Sequence, residues 1–327
     1  MKKGICVLLA IFLMVAGAAG CAKEPAPTVK TAVNVGAIQG PTGIGMTHLM
    51  EADTNNTATN DYTFTVCSTP QDAGNQLASG KLDIAALPTN LAASLYQKTQ
   101  GKVQLLAVNT LGVLYMLENG NTVQSIADLR GKTIYSTGEG ANPEYILRYV
   151  LSKNGIDPDK DVTIKFLAEN TELVTKMVSG EVKIAMVPEP NVSNITTKNT
   201  DVRIAASMND AWNAVADQNS KLMMGCVAVR KEFLENNKAA VDAFLVEYKA
   251  SIEKATQNVE KTAQLCETYG IIPKAALAKK AIPNCQLVFV AGDTMKTQIN
   301  GYYQVLASYN PKAIGGKLPD DGFYYAG

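Results

Sequence analysis

Two glycine turns hold the residue types best suited to chemistry in this chain. The first, GPTGIGM over residues 40–46, places Thr42, Gly43, Gly45 and Met46 where a strand gives way to a helix. Such a junction aims unpaired backbone N–H groups and the positive helix end outward, which suits an anion or a strong hydrogen-bond acceptor. Thr42 is placed to cap the helix, and Gly43 and Gly45 would let a ligand approach the backbone closely. The spacing is neither the phosphate loop GxxxxGK followed by Ser or Thr nor the dinucleotide fingerprint GxGxxG. A second turn, residues 137–142, carries Thr137, Gly138 and Asn142 ahead of another helix start.

Two strand ends add side chains. Residues 84–90 finish on Pro88, Thr89 and Asn90, and residues 184–190 finish on Pro188, Glu189 and Pro190. In open α/β sheets ligands gather beyond the carboxyl ends of the strands. Glu189 reads as a partner for a ligand amine, as a general base, or as an acceptor of backbone N–H bonds across a cleft. No second catalytic group accompanies it. His48 is the only histidine, with no Cys or His cluster of metal spacing, so no metal is expected. Its place one turn inside a helix fits packing better than catalysis. Trp212, the only tryptophan, reads either as a stacking surface at the cleft rim or as core packing near a hinge; Tyr115 carries the same two readings.

The elements that must position these residues occur twice. Residues 79–90, SGKLDIAALPTN, and 179–190, SGEVKIAMVPEP, align at an offset of 100, and the same offset pairs Gly40 with Gly140 and Thr42 with Asn142. Two registered matches predict a duplicated lobe, and two facing lobes make a cleft. Strand and helix patterns alternate through both copies, which implies α/β lobes with largely parallel sheets. Residues 142–155 read as a helix with Asn142 as N-cap, Pro143 at its first position and Gly155 at its end. The duplication stops after about residue 206. Residues 222–229 read as a strand running back near the hinge. Residues 232–263 read as one long helix, with Val241, Phe244, Leu245, Tyr248 and Ile252 on a single face. The ending KLPDDGFYYAG is expected to pack on the body as a clasp.

With 327 residues, 46% hydrophobic and 18% charged, the chain has the composition of a soluble globular protein with room for two domains. Thirty basic residues balance thirty acidic ones, so no net field draws it to nucleic acid. Lys2 and Lys3, an apolar stretch from Ile5 to Val15 and small residues up to Gly20 read as an export signal over residues 1–20. Ala18-Ala19-Gly20-Cys21 resembles a bacterial lipobox, in which Cys21 is acylated and becomes the mature N-terminus; residues 21–30 form a polar tether. Without Lys2 and Lys3, 28 basic residues face 30 acidic ones, so attachment would rest on the lipid. Cys67, Cys226, Cys266 and Cys285 show no CxxC pattern and read mainly as buried side chains.

These segments together resemble the solute-binding proteins of ABC importers, in the nitrate/sulfonate/taurine/thiamine-pyrimidine group. The block DLRGKTIYSTGEGANPEYILRYVLSKNGIDPDKDV is the most specific part, and the resemblance runs over about residues 31–325. It implies an α/β fold of the type II periplasmic-binding kind: two lobes, a central cleft and two hinge crossings. Lobe 1 would be residues 31–110 plus about 232–327, and about 111–231 would be lobe 2 and hinge. It also implies a cleft lined by residues 42–46, 88–90, 137–142 and Glu189. The expected partners are a small anionic or heteroaromatic solute, permease and ATPase subunits, and the membrane through the lipid anchor. No cofactor is expected, and the chain is expected to act as a monomer. Two other readings share the fold: an enzyme of the menaquinone-pathway or pyrimidine-synthase type, and a ligand-sensing lobe.

Overall fold

The computed structural model describes residues 30–327; the export segment, Cys21 and all but the last residue of the tether lie outside the described residues. The first repeat runs β1 (Ala32–Ile38), α1 (Pro41–Ile44), α2 (Thr47–Thr54), β2 (Asp61–Cys67), α3 (Pro70–Ser79), β3 (Ile84–Pro88), α4 (Thr89–Lys98) and β4 (Val103–Thr110). A short crossing leads to β5 (Leu114–Asn119). The second repeat follows as β6 (Thr133–Thr137), α5 (Asn142–Lys153), β7 (Thr163–Leu167), α6 (Asn170–Val178), β8 (Ile184–Pro188), α7 (Asn191–Lys198), β9 (Val202–Ser207) and α8 (Met208–Val215). The chain then returns through β10 (Gly225–Arg230), α9 (Lys231–Asn236), α10 (Lys238–Gln257), α11 (Val259–Thr268), α12 (Ala275–Ala281), β11 (Leu287–Val290) and α13 (Gly292–Tyr309).

The repeat is written into the sheet order. One sheet runs β2-β1-β3-β10-β4-β11 and the other β7-β6-β8-β5-β9. Under the offset of about 100, β2 matches β7, β1 matches β6, β3 matches β8 and β4 matches β9. The place between β3 and β4 is filled by β10, and the place between β8 and β9 by β5; both inserted strands are antiparallel to their neighbours. Each arrives from the other lobe and therefore enters against the direction of the strands around it. The repeated strands β3 and β8 each bury four residues and leave a half-buried proline at the end, as expected for sheets covered on both faces. Gly80 and Gly180, with φ of 80° and 78°, follow α3 and α6 in the left-handed region that an L side chain disfavours.

Several expectations shift. Residues 225–230, placed by sequence with lobe 2 and hinge, pair on both sides within the first sheet, where Cys226 to Val229 are fully buried. The single long helix is three: Asn237 and Asn258 interrupt it, and the Asn258 side chain accepts from Lys261 N at 3.2 Å to start α11. The apolar face of α10 is as read, with Val241, Phe244 and Tyr248 fully buried. α5 begins at Asn142 with Ala141 as N-cap, one residue earlier than expected. The C-terminal segment does clasp the body: Phe323 is fully buried 5.1 Å from the Tyr96 ring, and Tyr325 N donates to Leu105 O at 3.0 Å. Cys67, Cys226, Cys266 and Cys285 are buried free thiols.

Candidate functional site

The carboxyl ends of the parallel strands gather on one edge of each sheet. In the first, Pro88 and Thr110 flank Gly225, where β10 enters. In the second, Pro188 lies opposite Leu114, and Ser207 opposite Tyr115. Thr110 and Leu114 are four residues apart, so at most about 14 Å of chain separates the two edges there. Residues 216–224 make the second crossing between the same edges. Both glycine turns and both repeated strand ends lie on these edges.

The expected residues divide into two sets. Thr42, Pro88, Asn90 and Gly138 are half-buried at the edges, and Thr137 and Asn142 are almost wholly enclosed. Thr42 lies inside the four-residue α1 and caps nothing with its side chain; its carbonyl accepts from Asn109 Nδ2 at 3.2 Å. Thr137 Oγ1 donates to Asn170 Oδ1 at 2.9 Å, while Asn142 Oδ1 is buried with no protein partner. These side chains are uncharged. The N-terminus of α5 supplies the positive end of a twelve-residue helix beside them.

The other set is consumed by packing, which corrects its expected role as cleft lining. A Cβ on Gly43 would lie 2.0 Å from Ile38 O, so the missing side chain serves the turn itself. A Cβ on Gly45 would meet Ile252 Cγ1 at 2.7 Å, and the Gly45 carbonyl accepts from Ser251 Oγ at 2.5 Å; this glycine lets α10 approach, not a ligand. Met46 is fully buried in the core. Thr89 is also fully buried. Its hydroxyl donates to Met223 O at 2.7 Å and its carbonyl accepts from Tyr303 Oη at 2.8 Å, so it pins the strand end to the returning crossing. Trp212 takes the packing alternative, fully buried against Tyr149 and Tyr302. His48 is likewise packed, its Nε2 2.9 Å from Thr262 Oγ1.

Glu189 is 2% exposed, directly beyond β8. It accepts from Ser193 N at 3.1 Å, Ser193 Oγ at 2.9 Å and Asn284 Nδ2 at 2.8 Å. The first two bonds cap α7 and the third crosses to the other lobe. Burial raises its pKa, and the bonds from Asn284 and Ser193 only partly offset that. Beside it, the Tyr115 hydroxyl donates to Asn284 O at 2.7 Å; burial pushes this phenol up to about 12, so it remains a donor. Sequence reasoning missed Asn109, Asn170, Ser193 and Asn284. Asn284 lies where the duplication has ended, so no repeat pointed to it.

Cavities of about 670, 560 and 450 Å3 lie elsewhere: between α5 and the loop 155–159 that follows it, beside Arg230, and between α7 and α12. Among the described residues no cluster of three His, Cys, Asp or Glu side chains is placed to hold a metal ion. No helix among them is long and apolar enough to cross a membrane.

Residues 55–272 match the family described as ABC transporter, phosphonate, periplasmic substrate-binding protein. The chain belongs to this family. A candidate binding protein of Brucella abortus is 23% identical over 205 residues, 63% of this chain, and this chain spans only 60% of that relative's length. Among solved structures, an ABC transporter protein from Parabacteroides distasonis is 26% identical with a TM-score of 0.75, over 90% of this chain and 99% of that one. The periplasmic aliphatic sulphonate binding protein SsuA from Escherichia coli has a TM-score of 0.70 at 13% identity, over 90% and 92% of the two chains, which is a likeness of fold. The family's description is of a transporter's periplasmic substrate-binding protein, not of an enzyme. The family is a periplasmic, extracytoplasmic one, and membership in it sets the enzyme reading aside.

Proposed function

We propose that this chain is the lipid-anchored substrate-binding component of an ABC importer and carries a small organic solute bearing an oxyanion group between its lobes. The observation that carries this reading is the matched pair of sheet edges. Two copies of one strand order place glycine turns and polar strand ends at sheet edges joined by two short crossings. Thr42, Asn90, Thr137 and Asn142 supply uncharged hydrogen-bonding groups there, and α5 supplies a positive helix end. A helix terminus contributes about 0.3–1 kcal/mol when exposed and up to about 2 when partly buried, so the side chains must select the solute. Phosphonates and sulfonates fit this arrangement, since their oxygens accept from the Thr42 hydroxyl, from the amide N–H groups of Asn90 and Asn142 and from the N-terminus of α5. Heteroaromatic solutes fit less well, because Trp212 is withdrawn into the core.

The test is a melting-temperature screen of the purified mature protein against alkylphosphonates, alkanesulfonates, carboxylates and pyrimidines. A bound solute stabilises by about 2.7 kcal/mol at 100-fold excess over its dissociation constant. A shift confined to oxyanion compounds supports the reading; no shift with any class, or turnover of a bound compound, overturns it.

A further inference from the structure

Asn284 lies between α12 and β11, in the part of the first lobe that has no counterpart in the second. Both of its polar ends engage the second lobe. Nδ2 donates to Glu189 Oε1 at 2.8 Å, and the backbone oxygen accepts from the Tyr115 hydroxyl at 2.7 Å. Tyr115 pairs with Val187 in the ladder, two residues before Glu189, so the two partners adjoin at the cleft end of β5 and β8. Both are enclosed, at 4% and 2% exposure. Ser193 takes the other bonds of Glu189, so the carboxyl is committed to the start of α7 and to Asn284.

We propose that Asn284 is a positioning residue for solute binding: it ties the two lobes together through Glu189 and Tyr115 and sets affinity without touching the solute. The inference rests on reading the chain as a binding protein whose lobes close. A bond made only when the lobes meet shifts the open–closed equilibrium by its net strength, and the apparent dissociation constant follows the closed fraction. In the open form the same groups bond to water, so only the net difference counts. For hydrogen bonds to a buried carboxyl and from a buried phenol, that difference is worth about tenfold in the equilibrium. The bond from Lys280 Nζ of α12 to Thr197 Oγ1 of α7, 3.0 Å long, is exposed and adds little.

Asn284→Ala removes the amide and keeps the backbone oxygen; Tyr115→Phe removes the hydroxyl and keeps the ring. Both variants and the double variant are compared with the mature wild-type chain by small-angle scattering without added solute, and by calorimetric titration with methylphosphonate and propanesulfonate. Each single variant is expected to scatter with a larger radius of gyration, and the double variant to add less than the sum, because the bonds share one node. For a probe that binds wild type, the apparent dissociation constant is expected to rise about tenfold through faster dissociation. A purely packing role lowers the melting temperature and leaves the scattering of folded variants unchanged; that result in all three variants overturns the inference. Should neither probe bind wild type, the solute-binding reading loses support, and the scattering comparison still decides the role of Asn284.

Discussion

The Trp212 ring lies 4.5 Å from Tyr149 and meets Tyr302 edge-on at 5.6 Å, joining α8 and α5 of the second lobe to α13 of the first. The only tryptophan is thus a core residue beside the returning crossing, and it touches both lobes.

Trp212→Ala is expected to destabilise the protein by about 3–5 kcal/mol, the range for removing a large buried aromatic ring. Denaturant unfolding measures this. Intrinsic tryptophan emission of wild type should be blue-shifted and should report on the hinge. Strong quenching by a stacked aromatic ligand would place Trp212 in the cleft and contradict its burial.

Glu118 is 2% exposed and accepts from Arg203 Nη2 at 2.6 Å, Thr122 N at 2.7 Å, Thr122 Oγ1 at 2.6 Å and Val123 N at 3.1 Å. Burial by itself raises its pKa, but the bonds from Thr122, Val123 and Arg203 outweigh it and the net direction is down. A lowered folded pKa contributes stability above the unfolded carboxylate value, lost as pH falls through the folded one. Glu118→Gln should therefore cost about 2 kcal/mol at neutral pH and less in acid. Parallel pH profiles of melting temperature for wild type and variant would refute the assignment.

Glu189 has the opposite sign. Its raised folded pKa contributes stability that is full below the unfolded carboxylate value and lost as pH rises through the folded one. Relative to Glu189→Gln, wild type should gain stability on acidification and fall back toward neutrality. Melting temperatures taken across that range check the sign; a wild-type advantage growing with pH would reverse it.

Cys21→Ala tests the proposed lipid anchor. Fractionation of cells expressing the full chain should move the protein from the membrane pellet to the soluble extracytoplasmic fraction. Retention in the pellet would remove the lipoprotein assignment, since the near-neutral mature chain offers little electrostatic attraction to lipid.

Sequence by itself determined the plan of two α/β repeats, the strand ends at Pro88 and Pro188, and the buried face of α10 through Val241, Phe244 and Tyr248. Each follows from local spacing: period two or a short apolar run for strands, period 3.6 for helices, and an offset of 100 for the copies. Tertiary structure decided which of those residues remained for a ligand. Thr42 and Asn90 stay half-open at the edge, whereas Gly45 and Thr89 are closed off by Ile252 and Met223, more than a hundred residues away. It also set β10 inside the first sheet and brought Asn284 against Glu189. Local pattern states which face of an element is apolar or polar. What covers that face depends on where a distant part of the chain returns, and here the return from the second lobe settles it.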